Sequence, residues 1–128
     1  MRYLLDTCTF MWLALPQGKL SAAASMAIDD ASSESFLSEA SILEIAIKHS
    51  SGKLPLPDAP RRWLPSRLEF FRITVASLNP SVLFRSGELP RVHTDPFDRL
   101  IAAHAIETGL SILSPDVPLS HLGASRIW

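Results

Sequence analysis

Short apolar runs alternate with segments of helical pattern along this 128-residue chain. The runs predict strands because they are short, apolar or β-branched, and bounded by polar or turn residues. The predicted strands are Arg2–Leu5, Ser35–Ser38, Phe71–Ala76 and Leu110–Leu113, with Ser125–Trp128 as a short edge strand. Strands that alternate with helices predict an α/β fold, a sandwich around a mainly parallel sheet.

Six helices are predicted between these strands. They are Phe10–Leu15, Ala22–Ala31, Ala40–His49, Arg61–Phe71 with an interruption at Pro65, Pro80–Leu89 and Phe97–Thr108. Ser21 is a predicted N-cap, Asp95-Pro96 opens the last helix and Gly109 closes it at C′. With 47% hydrophobic residues, a chain of this length predicts one domain, residues 1–128, that can fill a core.

Composition limits the cellular context. The single cysteine, Cys8, excludes an internal disulfide, fits a reducing compartment and is expected to be a small buried apolar residue. No signal peptide is recognisable, and no uninterrupted apolar run approaches the ~18 residues that span a bilayer. We therefore expect a cytoplasmic protein without a membrane contact.

The charges are distributed unevenly although the net charge is only −1. Residues 1–58 carry four basic and seven acidic groups, whereas residues 59–128 carry eight basic groups, all of them Arg, and six acidic groups. Arginine suits phosphate recognition. This asymmetry permits an anionic ligand such as nucleic acid but does not demand one.

Acidic residues follow the predicted strands. Asp6 ends the first strand, Glu44 lies in the helix after the second, and Asp98 lies in the first turn of the helix before strand 110–113. Asp116 follows that strand, where it could equally be a turn residue. Right-handed connections can bring these segments to one edge of a parallel sheet, where such folds bind ligands. Converging carboxylates suit Mg²⁺ or Mn²⁺, which can activate water for phosphodiester cleavage.

Each of these acids also has a purely structural interpretation. Asp6 could cap the following helix, and Glu44 could pair with Lys48 one turn away. Asp98 suits the positive end of a helix dipole. Asp95 is the better N-cap candidate of that helix, which leaves Asp98 free for another role.

Other kinds of active site are disfavoured. The four histidines have no zinc-like spacing, no phosphate-binding glycine loop is present, and no serine lies in a nucleophile elbow. Phosphatases of the haloacid dehalogenase type use a second Asp two residues after the first, but that position is Cys8 here.

Four stretches together resemble one family. They are LLDT (residues 4–7), SEASILEIAIKHSSGKLPLP (38–57), HTDPFDRLIAAHA (93–105) and SILSPDVPLSHLG (111–123). In this order they closely resemble the PIN-domain toxins of bacterial type II toxin–antitoxin systems, the VapC-type ribonucleases. The family often has Thr where this chain has Ser114, and often a Trp where it has Ile42-Leu43.

The resemblance implies a three-layer α/β/α sandwich with a central parallel sheet, and a pocket that binds Mg²⁺ or Mn²⁺ and cleaves structured RNA, often tRNA or rRNA. It also implies a homodimer and a cognate VapB-type antitoxin that blocks the site. By position, the pocket acids, which would bind the metal and catalyse cleavage, are Asp6, Glu44, Asp98 and Asp116. Asp95 would be a helix cap or an outer-shell residue.

Further residues have expected supporting roles. Thr7 and Ser114 could hold water or a carboxylate, and Arg99 could grip the RNA backbone or pair with Asp95 or Glu107. Several apolar side chains exceed what some of the short helices need for a core. Some of them are expected in the core, and others could form a dimer seam or an antitoxin groove. These are Phe10, Met11, Trp12, Trp63 and Phe70. The alternative to an enzyme is a non-catalytic module of the same fold that binds RNA or a partner.

Overall fold

A five-stranded, fully parallel sheet forms the centre of the protein in a computed structural model that describes residues 1–128. The strands are β1 (Arg2–Leu5), β2 (Glu34–Ser38), β3 (Ile73–Ala76), β4 (Ser111–Leu113) and β5 (Arg126–Ile127). Their spatial order is β3-β2-β1-β4-β5, and every neighbouring pair is parallel. The predicted α/β/α sandwich around a parallel sheet is confirmed.

Seven helices connect the strands. They are α1 (Thr7–Ala14), α2 (Ala22–Asp29), α3 (Glu39–Ser50), α4 (Pro60–Phe70), α5 (Pro80–Glu88), α6 (Pro96–Thr108) and α7 (Val117–His121). Side chains of Asp6, Ser21, Asn79 and Asp95 accept backbone N–H groups at the starts of α1, α2, α5 and α6. Gly109 ends α6 in the left-handed conformation at φ 70°, as its C′ position predicts. No helix is long and apolar enough to cross a membrane.

Two apolar cores cover the two faces of the sheet. Alternate residues of each strand point to opposite faces. Leu4 and Ile112 therefore join buried residues of α5, α6 and α7, whereas Tyr3, Leu5 and Leu113 join those of α1 and α4. Because both faces are covered, the central strands β1 and β4 are short apolar runs, which is why they could be recognised from the sequence.

The structure corrects several predicted boundaries. Helix α1 begins at Thr7 rather than at residue 10, because Asp6 caps it directly after the strand. Helix α4 continues through Pro65, since buried Trp63, Leu64 and Leu68 hold it against the core. Strand β3 begins at residue 73 rather than at residue 71, because Arg72 adopts a left-handed backbone conformation, with φ 55°, in the turn before the strand.

Helix α7 was not predicted at all. The prolines around Asp116 were interpreted as a turn, but Pro118 lies in the first turn of α7 and is compatible with a helix there.

The apolar side chains singled out in the sequence divide between the core and the surface. Phe10, Met11 and Trp63 are buried in the core of α1 and α4, so they are not available as a surface. Trp12 is half-buried beside Trp128, and Phe70 is 67% exposed. Of these five side chains, only Trp12 and Phe70 lie where they could contribute to an interaction surface.

The order of the strands determines where a ligand can bind. From β1 the chain moves outward to β2 and β3 on one side, and later to β4 and β5 on the other. A crevice opens at the carboxyl ends of the strands where this direction changes. The residues that follow β1, β2 and β4 are therefore placed around one crevice.

The central strand makes stability sensitive to its buried side chains. Leu4 is fully buried, so Leu4→Ala should lower the free energy of unfolding by about 2–5 kcal/mol through lost burial and a cavity. Leu83, which is 50% exposed on α5, is the matched control, and Leu83→Ala should change stability much less. Urea denaturation of both variants measures the difference; equal losses would contradict this packing.

Candidate metal centre

An open cleft of about 540 Å³ lies at the carboxyl ends of β1, β2 and β4. Five carboxylates and a single cationic side chain, Lys48, line it; the acids are Asp6, Glu44, Asp95, Asp98 and Asp116. The four acids predicted to form a pocket are therefore brought together, and Asp95 lies with them. Asp95 also caps α6, so it is a helix cap and a cleft residue at the same time.

Asp6 is the most buried of these acids, with 3% of its surface exposed. Its Oδ1 accepts the backbone N–H of Thr9 at 2.8 Å, and its Oδ2 accepts the hydroxyl of Ser114. The side chain thus caps α1 and also lines the cleft. Burial raises the pKa of Asp6 above its usual value of 3.8, and these hydrogen bonds offset part of that effect.

Cys8 lies beside Asp6, which sequence reasoning did not anticipate. The residue is half-buried rather than buried, and its thiol donates to the two carboxylate oxygens of Asp6 at 3.3 and 3.4 Å. Burial, followed by the negative charge of Asp6, raises the pKa of the Cys8 thiol far above its usual range. Cys8 is therefore a protonated donor at the edge of the cleft, not an inert core residue.

Ser114 connects two of the acids. Its hydroxyl donates to Asp6 and accepts the backbone N–H of Asp116 at 3.0 Å. Asp116 is exposed at the start of α7 and does not cap that helix with its side chain. One ligand atom each of Asp6, Cys8 and Asp116 lies within 4.8 Å of the others. Ser114 thus holds the ends of β1 and β4 in register at the site.

Glu44 projects from α3 and is 6% exposed. Its Oε2 accepts Lys48 Nζ at 2.5 Å, so the alternative pairing that the sequence offered does form. However, Glu44 lies in the cleft and not on a solvated helix face. The hydrogen bond with Glu44 raises the pKa of Lys48, which keeps this cation charged inside the acidic cleft.

Asp98 reaches the cleft from the first turn of α6. Its Oδ2 accepts His93 Nε2 at 2.7 Å, a contact that sequence reasoning missed. Burial raises the pKa of Asp98, and the nearby charge of Asp95 raises it further, whereas the hydrogen bond from His93 lowers it. His93 carries no periodic or spacing signal, because it lies in the loop before α6.

Two supporting residues do not lie as the sequence predicted. The hydroxyl of Thr7 donates to Ser41 Oγ at 2.9 Å and not to a carboxylate, although Thr7 does line the cleft. Arg99 pairs with neither Asp95 nor Glu107. Its guanidinium donates four hydrogen bonds of 2.8–3.0 Å to backbone carbonyls, those of Ser86, Leu89, Pro90 and His93.

The donor set fits a hard divalent cation. Burial disfavours the charged forms of Asp6 and Asp98, and the charges of Asp95 and Asp116 add to this effect at Asp98. Lys48 supplies the only positive charge in the lining of the cleft. A bound cation would compensate this excess of negative charge. Mg²⁺ and Mn²⁺ favour carboxylate oxygens. Asp6 and Asp116 are close enough to share one ion, whereas Glu44 and Asp98 lie outside that compact group.

The family can be identified once this geometry is clear. The family model described as the PIN domain matches residues 3–124, which is nearly the whole chain. This chain belongs to the PIN domain family. No curated protein sequence is significantly similar to it.

Solved structures with the same fold share little sequence with this PIN domain. A chain of VapBC2 from Rickettsia felis, bound to a promoter DNA fragment, is 17% identical with a TM-score of 0.71, over 99% of this chain and 98% of that one. VapBC-1 from nontypeable Haemophilus influenzae is 18% identical with a TM-score of 0.70, over 99% of this chain and 97% of that one. A chain of a toxin-antitoxin complex from Klebsiella pneumoniae is 13% identical with a TM-score of 0.64, over 98% of this chain and 96% of that one.

The buried acids of this PIN domain make its stability depend on pH and metal. The native pKa values of Asp6 and Asp98 are raised, so the native state binds more protons than the unfolded chain above pH 3.8. Stability is therefore expected to fall as pH rises from 3.8 through the native pKa values, at about 1.4 kcal/mol for each pKa unit of elevation.

Asp6→Asn should accordingly stabilise the metal-free protein at pH 7, because Asn keeps the helix cap without the buried charge. The gain should vanish below pH 3.8, the usual pKa of the Asp6 carboxyl. Mg²⁺ should raise the melting temperature of the wild type but not of Asp6→Asn. Asp29→Asn, at the exposed end of α2, is the control and should change neither. A destabilised Asp6→Asn protein at pH 7 would contradict this electrostatic account.

Proposed function

We propose that this chain is a Mg²⁺- or Mn²⁺-dependent endoribonuclease, the toxin of a type II toxin–antitoxin system, which acts in the cytoplasm on structured RNA such as tRNA or rRNA. PIN domains are generally nucleases. The observation that carries the proposal is the convergence of five carboxylates around one crevice of a PIN fold, with the most buried, Asp6, at the end of the central strand. Residues 1–128 would act as one such domain.

The residues of the cleft have separable roles in this proposal. Asp6, Glu44, Asp98 and Asp116 would hold the cation. When bound, the cation would supply an activated water and neutralise charge that develops on the phosphate. Ser114 and the Thr9 N–H fix the orientation of Asp6, and His93 fixes that of Asp98.

Lys48 holds Glu44 through their ion pair and is itself exposed at the cleft. Because its ammonium group stays charged, Lys48 also lowers the repulsion that an RNA phosphate meets among the acids. The ammonium group of Lys48 would therefore help a negatively charged substrate to approach the cleft.

Partners of two kinds are part of the proposal. Structures with this fold include VapBC proteins and a toxin-antitoxin complex, which supports a cognate VapB-type antitoxin. A homodimer is proposed from the family resemblance.

A groove lined mainly by apolar side chains of α3 and α4 offers a surface of the right kind for an antitoxin helix. Its lining includes Ile42, Ala46, Leu64, Leu68 and Val75. Ala46 lies two residues from both Glu44 and Lys48, so the groove occupies a different face of α3 from the cleft.

Cleavage of RNA tests the enzymatic proposal. The purified, partner-free protein should cleave total RNA with Mg²⁺ or Mn²⁺ and not with chelator. Asp6→Asn and Asp98→Asn should lower the rate by more than ~100-fold, since loss of even an outer-shell partner of a metal costs 10–100-fold. Asp29→Asn, on the surface of α2, serves as the matched control and should cleave normally.

The result also decides against the alternative of a non-catalytic module. Such a module would bind RNA or a partner without metal-dependent cleavage and would leave growth normal on overexpression. Cleavage that persists undiminished in Asp6→Asn and Asp98→Asn would show that the carboxylates are not the catalytic centre.

Neutralisation by the antitoxin can be separated from catalysis. Overexpression should arrest growth, and co-expression of the proposed cognate antitoxin should restore it. Ala46→Arg places a charge in the apolar groove and should abolish the rescue while RNA cleavage persists. Ala31→Arg, in an exposed turn, is the control and should be rescued. Rescue of Ala46→Arg to the wild-type level would place the antitoxin elsewhere.

A further inference from the structure

A second, smaller cavity of about 230 Å³ lies beside the acidic cleft and has the opposite character. It is lined by Gly87, Arg91, His93, Thr94 and Arg99, none of which is acidic or apolar. A polar cavity with two guanidinium groups and no carboxylate in its lining favours an anion.

Arg99 forms the framework of this cavity through hydrogen bonds to the backbone. The Arg99 guanidinium has five N–H donors, and its four hydrogen bonds to carbonyls of residues 86, 89, 90 and 93 fix the loop between α5 and α6. The loop is thereby held open around the cavity. Carbonyls do not cancel the charge of Arg99, and one N–H donor remains.

Arg91 supplies the free positive charge. Its side chain is exposed, and no carboxylate lies within ion-pair distance of it or of Arg99. Arg62 and Arg85, in contrast, are paired with Asp58 and Glu107. A guanidinium without a carboxylate partner can form two parallel hydrogen bonds to a phosphate.

The cavity and the acidic cleft share a wall. His93 lines the cavity, while its hydrogen-bond partner Asp98 lines the cleft. A strand that extended from the carboxylate cleft into this cavity would cross the His93–Asp98 pair. Arg91 is the exposed basic residue in the lining of that cavity.

We propose that this cavity, with Arg91 and Thr94 at its mouth, binds a backbone phosphate of the RNA that flanks the one being cleaved. The inference rests on the proposed ribonuclease function for the identity of the ligand. It assigns binding of substrate to Arg91 and assigns Arg99 to the framework of the loop. The cavity sets where the strand lies relative to the acids and does not take part in the chemistry.

Inorganic phosphate is the first probe, because its binding does not depend on nuclease activity. Phosphate titrated into the metal-free protein should shift the backbone amide NMR signals of Gly87 and Thr94. Arg91→Gln should abolish these shifts, and Thr94→Val should weaken them. Arg72→Gln is the matched control, since exposed Arg72 precedes β3 at the opposite end of the sheet and should not alter them.

A 5′-labelled, random-sequence RNA of 20 nucleotides is the second probe, with binding measured in chelator so that no cleavage occurs. Arg91→Gln should weaken binding and lower the slope of log K against log salt by about 0.7, the value for one lost single-strand phosphate contact. In the metal-loaded protein the same variant should raise KM several-fold with kcat unchanged. Arg72→Gln should behave as the wild type in both assays.

The outcomes separate this inference from the proposed function. Phosphate shifts at the cavity together with weaker RNA binding by Arg91→Gln would support the subsite even if the wild type did not cleave RNA. Phosphate shifts without any RNA binding by the wild type would overturn RNA as the ligand of the cavity. RNA cleavage with no phosphate shifts, or with equal RNA affinity of Arg91→Gln and Arg72→Gln, would overturn the subsite and leave the nuclease intact. Unchanged NMR signals far from the cavity confirm that Arg91→Gln is folded.

Discussion

The buried carboxylate of Asp6 is the interaction on which the site depends, because it connects three elements at once. It ends β1, caps α1 through the Thr9 N–H and accepts the hydroxyl of Ser114 after β4. Thr9 adds a hydrogen bond of 2.8 Å from its hydroxyl to the carbonyl of Leu113. Burial of this charge is unfavourable, and its hydrogen bonds offset only part of the cost. The fold is therefore arranged to hold negative charge where solvent cannot stabilise it.

The parallel sheet explains why such distant residues meet. Residues after β1, β2 and β4 lie at the same edge, and right-handed connections leave a crevice there. The sequence was sufficient to predict this part, since buried parallel strands are short apolar runs and the acids follow them. Glu44 and Asp98 could be placed only approximately, because a helix can turn its side chains toward the cleft or toward solvent. Their burial depends on the packing of α3 and α6 against the sheet.

The remaining contacts were not accessible from the sequence, for a physical reason. Arg99, Thr7 and Cys8 each have several donors or acceptors within reach along the chain, and only the folded loop decides among them. One carbonyl of α5 and three of the following loop converge on Arg99, an arrangement that no residue type encodes. His93 likewise meets Asp98 because that loop bends back onto α6. The sequence identified the acids and named Ser114 and Lys48 as possible partners of a carboxylate, but it did not reveal the contacts of His93 and Cys8.

Adjacent regions of opposite charge would suit the polyanionic substrate that we propose. An acidic cleft alone repels RNA, and a basic cavity alone binds the backbone without chemistry. A cation in the cleft would change repulsion into attraction only where the carboxylates converge, while Arg91 would hold the strand at a fixed distance from them. The net charge of −1 conceals this separation. The local arrangement of charge, rather than the overall balance, is therefore what would allow the proposed ribonuclease both to bind RNA and to cleave it.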